Sequence, residues 1–333
     1  MRARTSILFT TLSLLTLLLF GLDLAVGSIA IPLHDIWLAL TGGDCSPTTA
    51  KIILDIRLIK AITAILAGAA LSVSGLQMQT LFRNPLAGPY VLGISSGASL
   101  GVAIFILGAP ALGLSATLAS VGIAGAAWIG AAAVLTIIAI AGQRIKDIMV
   151  ILILGMMFSS GVSAIVQILQ YLSREEALKA FVIWTMGSLG DVTTDQLFTM
   201  IPVVLDGLRL AVATIKPLNM LLFGEEYAIT MGLNLKRSRC MLFVSTTMLA
   251  GTVTAFCGPI GFIGLAMPHV TRMLFSDSDH RVLLPGTILT GASVLLMCDI
   301  ISKLFTLPVN AITALLGIPV VIWVVLRNKS ITR

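Results

Sequence analysis

Three carboxylates stand in or beside long apolar runs: Asp23, Asp206 and Asp299. An acid at membrane depth commonly marks a route for ions or protons. Asp206 has Arg209 one helical turn on, a neighbour placed to neutralise it. Asp23 and Asp299 fall near the ends of their apolar runs, where water is expected to reach them. A proton relay needs acids and histidines in series, and His34, His269 and His280 are far apart in sequence. Cys45, Cys240, Cys257 and Cys298 show neither CxxC nor Cys/His spacing, so they read as packing residues rather than a zinc site or redox pair. No GxxxxGK[ST] phosphate loop and no HExxH motif occurs. The expectation is a chain that does no covalent chemistry and holds no metal or cofactor. If it drives uphill transport, the energy must come from an ion gradient or a separate ATPase.

Polar side chains inside apolar runs offer a different chemistry, that of lining a path. Gln77 and Gln79 lie in one run, Ser95, Ser96 and Ser99 in the next. Ser159, Ser160, Ser163, Gln167 and Gln170 lie in a later one. Such groups in lipid either find partners between helices or face a water-filled route. The expected path residues are Gln77, Ser95, Ser96, Ser159, Ser160, Ser163 and Gln167. Small residues crowd the same runs: Gly68, Ser72 and Gly75 in one, and Gly93, Gly97 and Gly101, a GxxxGxxxG face, in the other. Faces of this kind let helix backbones approach closely.

The elements that must position these groups follow from composition. Of 333 residues, 57% are hydrophobic and 11% are Asp, Glu, Lys or Arg. Soluble domains carry roughly 25% charged residues. Apolar runs near the ~20 residues that span a bilayer recur along the chain. Runs such as AITAILAGAALSVSG lack the alternation of a barrel strand. The fold class is therefore all-α, a polytopic transmembrane bundle of about ten membrane helices. The expected spans are 7–26, 60–82, 89–107, 115–141, 148–171, 196–215, 240–256, a short element ending at Phe275, 282–303 and 309–326. The N-terminal run is read as an uncleaved first helix. Phe181 to Leu189 is too short to span and is expected to be a half-helix or interfacial piece, and Ile36-Trp37 is placed at an interface. No domain boundary is visible, so residues 1–333 form one domain.

With ten crossings both termini share a side. Placing them inside puts most Lys and Arg inside, as the positive-inside rule requires, and explains the net charge of +6 without nucleic acid. Lys51, Arg57, Lys60, Arg174, Lys179 and Lys303 fall outside. Arg57, Lys60 and Lys303 sit at helix ends on the disfavoured side and ask for an explanation. The polar break from Lys216 to Arg239 is expected to hold a short surface helix, Glu225 to Met231, ended by Gly232. It either meets a cytosolic partner or lies on the membrane surface.

The stretch from Arg57 to Gly101 organises the chain: two apolar runs around the hinge Arg83-Asn84-Pro85. It carries Arg57-Leu58-Ile59-Lys60, Gly68-Ala69-Ala70-Leu71, Ser74-Gly75, Gln79, Arg83 to Ala87 with Pro89, Leu92-Gly93 and Gly97-Ala98. Further on come Lys216-Pro217-Leu218-Asn219, Gly224-Glu225-Glu226, Gly258-Pro259-Ile260, Pro268-His269 and Thr313-Ala314-Leu315-Leu316-Gly317. In these motifs, over nearly its whole length, the sequence resembles the FecCD-type permeases, the membrane subunits of ABC importers for iron-siderophores, haem and cobalamin.

The resemblance implies a homodimer in the bacterial inner membrane, with the path between the copies and two ABC ATPase subunits bound inside. It implies a coupling segment at about 217–233, with Leu218, Asn219, Gly224, Glu225, Glu226, Ala228 and Gly232 meeting the ATPases. An extracytoplasmic substrate-binding protein would dock through its acids onto Arg57, Lys60 and Lys303. Ile59 stands where the family has proline, and Lys60 and Lys303 where it has arginine.

Overall fold

The computed structural model describes residues 2–27, 29–43, 45–108, 122–145 and 147–329, and among these it is helical with no strand. In chain order the helices are α1 (Arg2–Ala25), α2 (Leu33–Thr41), α3 (Pro47–Lys51), α4 (Leu58–Leu81), α5 (Ile94–Gly108), α6 (Gly122–Arg144), α7 (Ile148–Leu172) and α8 (Glu175–Thr185). They continue as α9 (Thr194–Ala213), α10 (Ile215–Leu221), α11 (Glu225–Thr230), α12 (Leu235–Cys257), α13 (Ile263–Phe275), α14 (His280–Phe305) and α15 (Val309–Lys329). By length and composition α1, α7, α9, α12 and α14 can each cross a membrane, and 94–108, 122–138 and 309–324 are shorter apolar helices.

α4 is the central rod. Alanines and glycines fill it, and most of its residues from Ala61 to Leu81 are buried. A helix that is apolar around its circumference belongs inside other helices. Residues from Ile59 to Leu76 join one hydrophobic core, while Met78, Leu81 and Phe82 join a second. α4 packs most extensively against α14 and α13, and α5 against α6. The close approaches are made at glycine. A methyl group on Gly75 would overlap the carbonyl of Gly264 in α13, and one on Gly97 would meet Gly130 in α6. The small-residue faces expected on both runs are thus helix–helix contacts. Gly93 departs from that pattern: at φ 75° it sits in a left-handed turn between a 3-10 turn (Pro89–Leu92) and α5. The third expected span therefore does not start as helix at Pro89.

Other boundaries also differ from expectation. The short amphipathic piece begins at Glu175, not Phe181, because Glu175 and Glu176 favour a helix N-terminus. It ends before Gly187, at φ 71°. Ile36 is buried in the core while Trp37 is exposed, so the two residues expected together at an interface face different ways. The break from Lys216 to Arg239 is almost wholly helical, divided among α10, α11 and the start of α12.

Candidate functional site

At one end of α4 lies a buried cluster of charge. Lys303 Nζ is 2.8 Å from Asp23 Oδ1 and 3.0 Å from Asp299 Oδ2, and Lys60 Nζ is 2.9 Å from Asp299 Oδ1. Asp23 and Asp299 are both 0% exposed. Neither reaches water, contrary to the expectation from their positions near helix ends. Two acids and two lysines balance, which is how charge survives burial. Arg57, 5% exposed, donates from Nη1 to the carbonyls of Leu24 (2.8 Å) and Ala25 (2.9 Å) and from Nη2 to Ile29. The Leu24 and Ala25 carbonyls close α1, where a cation is favourable. The Lys303 side chain is 9% exposed and that of Lys60 20%. So of the three basic residues singled out in the sequence, two turn inward and Lys60 keeps partial access. Asp206 and Arg209 form their expected pair at 2.6 Å, on an exposed face.

Between α5, α7 and α8 lies an open cavity of about 350 Å³. Ser95, Ser96, Ser99, Ser163, Gln167, Gln170 and Thr185 give it a hydroxyl and amide lining, with Val162, Val166 and Phe181 between them. None of these lining residues is charged. Four of the expected path residues meet here: Ser95, Ser96, Ser163 and Gln167. Ser99 and Gln170 join them from the same helix faces, a spacing readable in the sequence. Thr185 comes from a separate helix and had no such signal. Ser159 and Ser160 instead donate to carbonyls of their own helix, Gly155 (2.8 Å) and Met156 (3.1 Å). Gly93 to Gly97 also spells GxSxG, the pattern of a hydrolase nucleophile elbow. Among the described residues no strand precedes Ser95, and no histidine lines the cavity, so the elbow's setting is missing.

Gln77 lies apart from that cavity. It is 0% exposed, and its amide donates to Ser245 (3.0 Å) and Thr214 (3.3 Å) and accepts from Thr246 (3.2 Å). Its place is an interhelical clasp among α4, α12 and the α9–α10 turn.

At the other end of α4 the hinge and the proposed coupling segment come together. Arg83 has φ 46°, and Asn84 Oδ1 accepts from the backbone of Leu86 (2.9 Å) in a tight turn. The carbonyl of Pro85 bonds His269 Nε2 (2.8 Å). The Arg83 guanidinium lies beside Gly224, at φ 103°. Leu218 and Ala228 are fully buried and seat α10 and α11. Arg239 Nη2 holds both carboxylate oxygens of Glu225, at 2.7 and 2.8 Å. Gly232, at φ 87°, ends α11, with Leu233 N bonding the carbonyl of Ala228 (2.9 Å). Leu222, Phe223, Tyr227, Ile229 and Met231 are exposed there, and so is Glu226. Asn219 Nδ2 donates to Asp279 Oδ1 (2.6 Å). The Asp279 carboxyl is held below its usual range, chiefly because it accepts the backbone N–H of Arg281 and then the Asn219 amide.

A bundle of long apolar helices, a neutral polar cavity and a short helix with exposed apolar side chains are features of a membrane permease. Residues 14–327 match the FecCD transport family, and the chain belongs to that family. It is 35% identical over 327 residues to the hemin transport system permease protein of Yersinia pestis, covering 96% of this chain and 95% of that protein. It is 38% identical over 329 residues to the vitamin B12 import system permease protein of Klebsiella pneumoniae, covering 96% and 93%. Its fold matches an inward-facing metal-chelate type ABC transporter with a TM-score of 0.82 at 28% identity, over 96% of this chain and 98% of the other.

Proposed function

We propose that this chain is the membrane-spanning permease subunit of an ATP-binding-cassette importer. Its cargo would be a bulky chelate of the iron-siderophore, haem or cobalamin class. The permease would span the bacterial inner membrane ten times as one domain, with both termini cytoplasmic, and pair with a second copy. ATP hydrolysis would belong to two partner ATPases, and cargo would arrive on an extracytoplasmic binding protein. The observation that carries this reading is α11. It is pinned at its base by Arg239–Glu225, closed by Gly232, and presents Phe223, Tyr227, Ile229 and Met231 outward. A rigid helix with apolar groups beside an exposed acid suits a cytosolic protein partner better than a loop lying on lipid. Leu218, Asn219, Gly224, Glu225, Glu226, Ala228 and Gly232 build that coupling element, with the hinge Arg83-Asn84-Pro85 against it.

The uncharged cavity walls suit a cargo that slides past hydroxyls and amides without being held. Of the basic trio, Lys60 is the residue placed to meet an acid of the binding protein. Arg57 and Lys303 would act by fixing the helix ends around it. The reading is tested by co-reconstituting the permease with its ATPase and binding protein in liposomes. Uptake should require both partners and ATP, and gradient-driven uptake by the permease alone would overturn it.

A further inference from the structure

The last turns of α4 carry three polar side chains, and each bonds a different part of the bundle. Gln77 is clasped by Thr214, Ser245 and Thr246. Gln79 accepts from Arg272 in α13 (2.6 Å) and donates to the carbonyl of Leu265 (2.9 Å). Thr80 meets His280 Nε2 at 2.9 Å. His280 is 1% exposed, and its other ring nitrogen lies 2.7 Å from Asn219 Oδ1, which also accepts the His280 backbone N–H (2.9 Å).

The bonding order fixes the roles of these atoms. Asp279 can only accept from Asn219, so Nδ2 of Asn219 points to it and Oδ1 points to His280. An acceptor at Oδ1 requires the imidazole proton on Nδ1. In the neutral ring Nε2 is then left as an acceptor, and the Thr80 hydroxyl, whose one proton is shared between Nε2 (2.9 Å) and the carbonyl of Leu76 (3.0 Å), donates to it. The chain Asp279–Asn219–His280–Thr80 therefore runs without a break from α10, through the start of α14, to α4. Its His280–Thr80 end is buried, while Asn219 and Asp279 are half-buried, so a partner withdrawn from the His280–Thr80 bond leaves a polar group unpaired in low dielectric. From Thr80, α4 runs back 20 residues to Lys60 and its bond to Asp299. At ~1.5 Å per residue that is a rod of about 30 Å.

We propose that Asn219, His280 and Thr80 are positioning residues that transmit displacement of the coupling segment to α4, and through it to the Lys60–Asp299 end. The proposal rests on the importer reading above. The family resemblance implied Asn219 as a coupling residue but gave no partner for it. His280 and Thr80 stood out in neither role.

The test is the amount of cobalamin or haem, whichever the wild-type importer carries, moved per ATP hydrolysed by the reconstituted importer. Thr80→Val keeps the side-chain shape and removes the hydroxyl. It should lower cargo moved per ATP by about fivefold, the effect of one buried hydrogen bond that differs between two coupled states. Thr80→Ser should restore the wild-type ratio. Asn219→Leu should lower it as well, and adding Thr80→Val to Asn219→Leu should bring little further loss. A Thr80→Val importer with the wild-type ratio overturns the linkage. So does one that yields less folded protein while each folded copy keeps that ratio, because the role is then stability alone. ATP-independent uptake by the wild type would instead overturn the importer reading itself.

Discussion

Lys303 Nζ lies 2.8 Å from Asp23 Oδ1 and so ties the C-terminal end of α1 to the last turn of α14. The same ammonium reaches Asp299, which in turn holds Lys60. Basic residues that look misplaced by the positive-inside rule are thus matched to acids that look misplaced in an apolar run. Each anomaly accounts for the other.

Removing one member should be costly. Lys303→Met leaves Asp23 and Asp299 facing each other without a shared cation, and unpairing a buried charge costs about 3–5 kcal/mol. Thermal unfolding in detergent should show a large loss for Lys303→Met. The loss should be smaller when Asp23→Leu is added, since this removes one of the stranded charges. Equal losses in the single and double variants would show that the cluster is not coupled.

Lys60 and Arg57 should separate under charge reversal. Lys60→Glu is expected to weaken binding-protein docking of each folded copy, most at low salt, where attraction is least screened, besides the destabilisation from a second carboxylate beside Asp299. Arg57→Glu should instead reduce folded protein, because its guanidinium closes α1 through Leu24 and Ala25. Salt-independent docking by the Lys60 variant would remove the electrostatic account.

Gln77 and the cavity residues should differ in access to water. Single cysteines at Ser163 and Gln167, in a background lacking the native four, should react with a membrane-impermeant thiol reagent once the path opens. A cysteine at Gln77 should stay unreactive in every nucleotide state. Labelling at Gln77 would move it back into the path.

α11 gives the sharpest local prediction. Gly232 holds φ 87°, a conformation that costs other residues roughly 1–2 kcal/mol. Gly232→Val should keep ATP hydrolysis but lower cargo moved per ATP. Wild-type coupling in that variant would favour α11 as a helix resting on lipid.

Much of this was legible in the sequence, for a physical reason: spacing within one helix is local information. The small-residue faces of α4 and α5, the pairing of Asp206 with Arg209, and Gly232 as the end of α11 all follow from i,i+3 and i,i+4 geometry or from backbone preference. Within α7, Ser163, Gln167 and Gln170 share one face for the same reason, although their meeting with Ser95 and Ser96 of α5 had no local signal. Contacts between distant segments were not legible. Nothing near Asp23 signals Lys303, and nothing near Gln77 signals Ser245, so a buried acid was read as solvated and a clasp as part of a path. The missed pair Lys303–Asp299 was the exception, because its i,i+4 spacing was on view.

The central claim is that this bundle moves cargo only when ATPases work on α11 and its surroundings. The most direct measurement is uptake into liposomes holding the permease and its ATPase, with loaded binding protein outside and ATP inside. The account predicts accumulation that stops when the ATPase is inactivated and becomes inefficient per ATP in Gly232→Val. Accumulation that persists with an inactive ATPase and collapses with an ion gradient would contradict it.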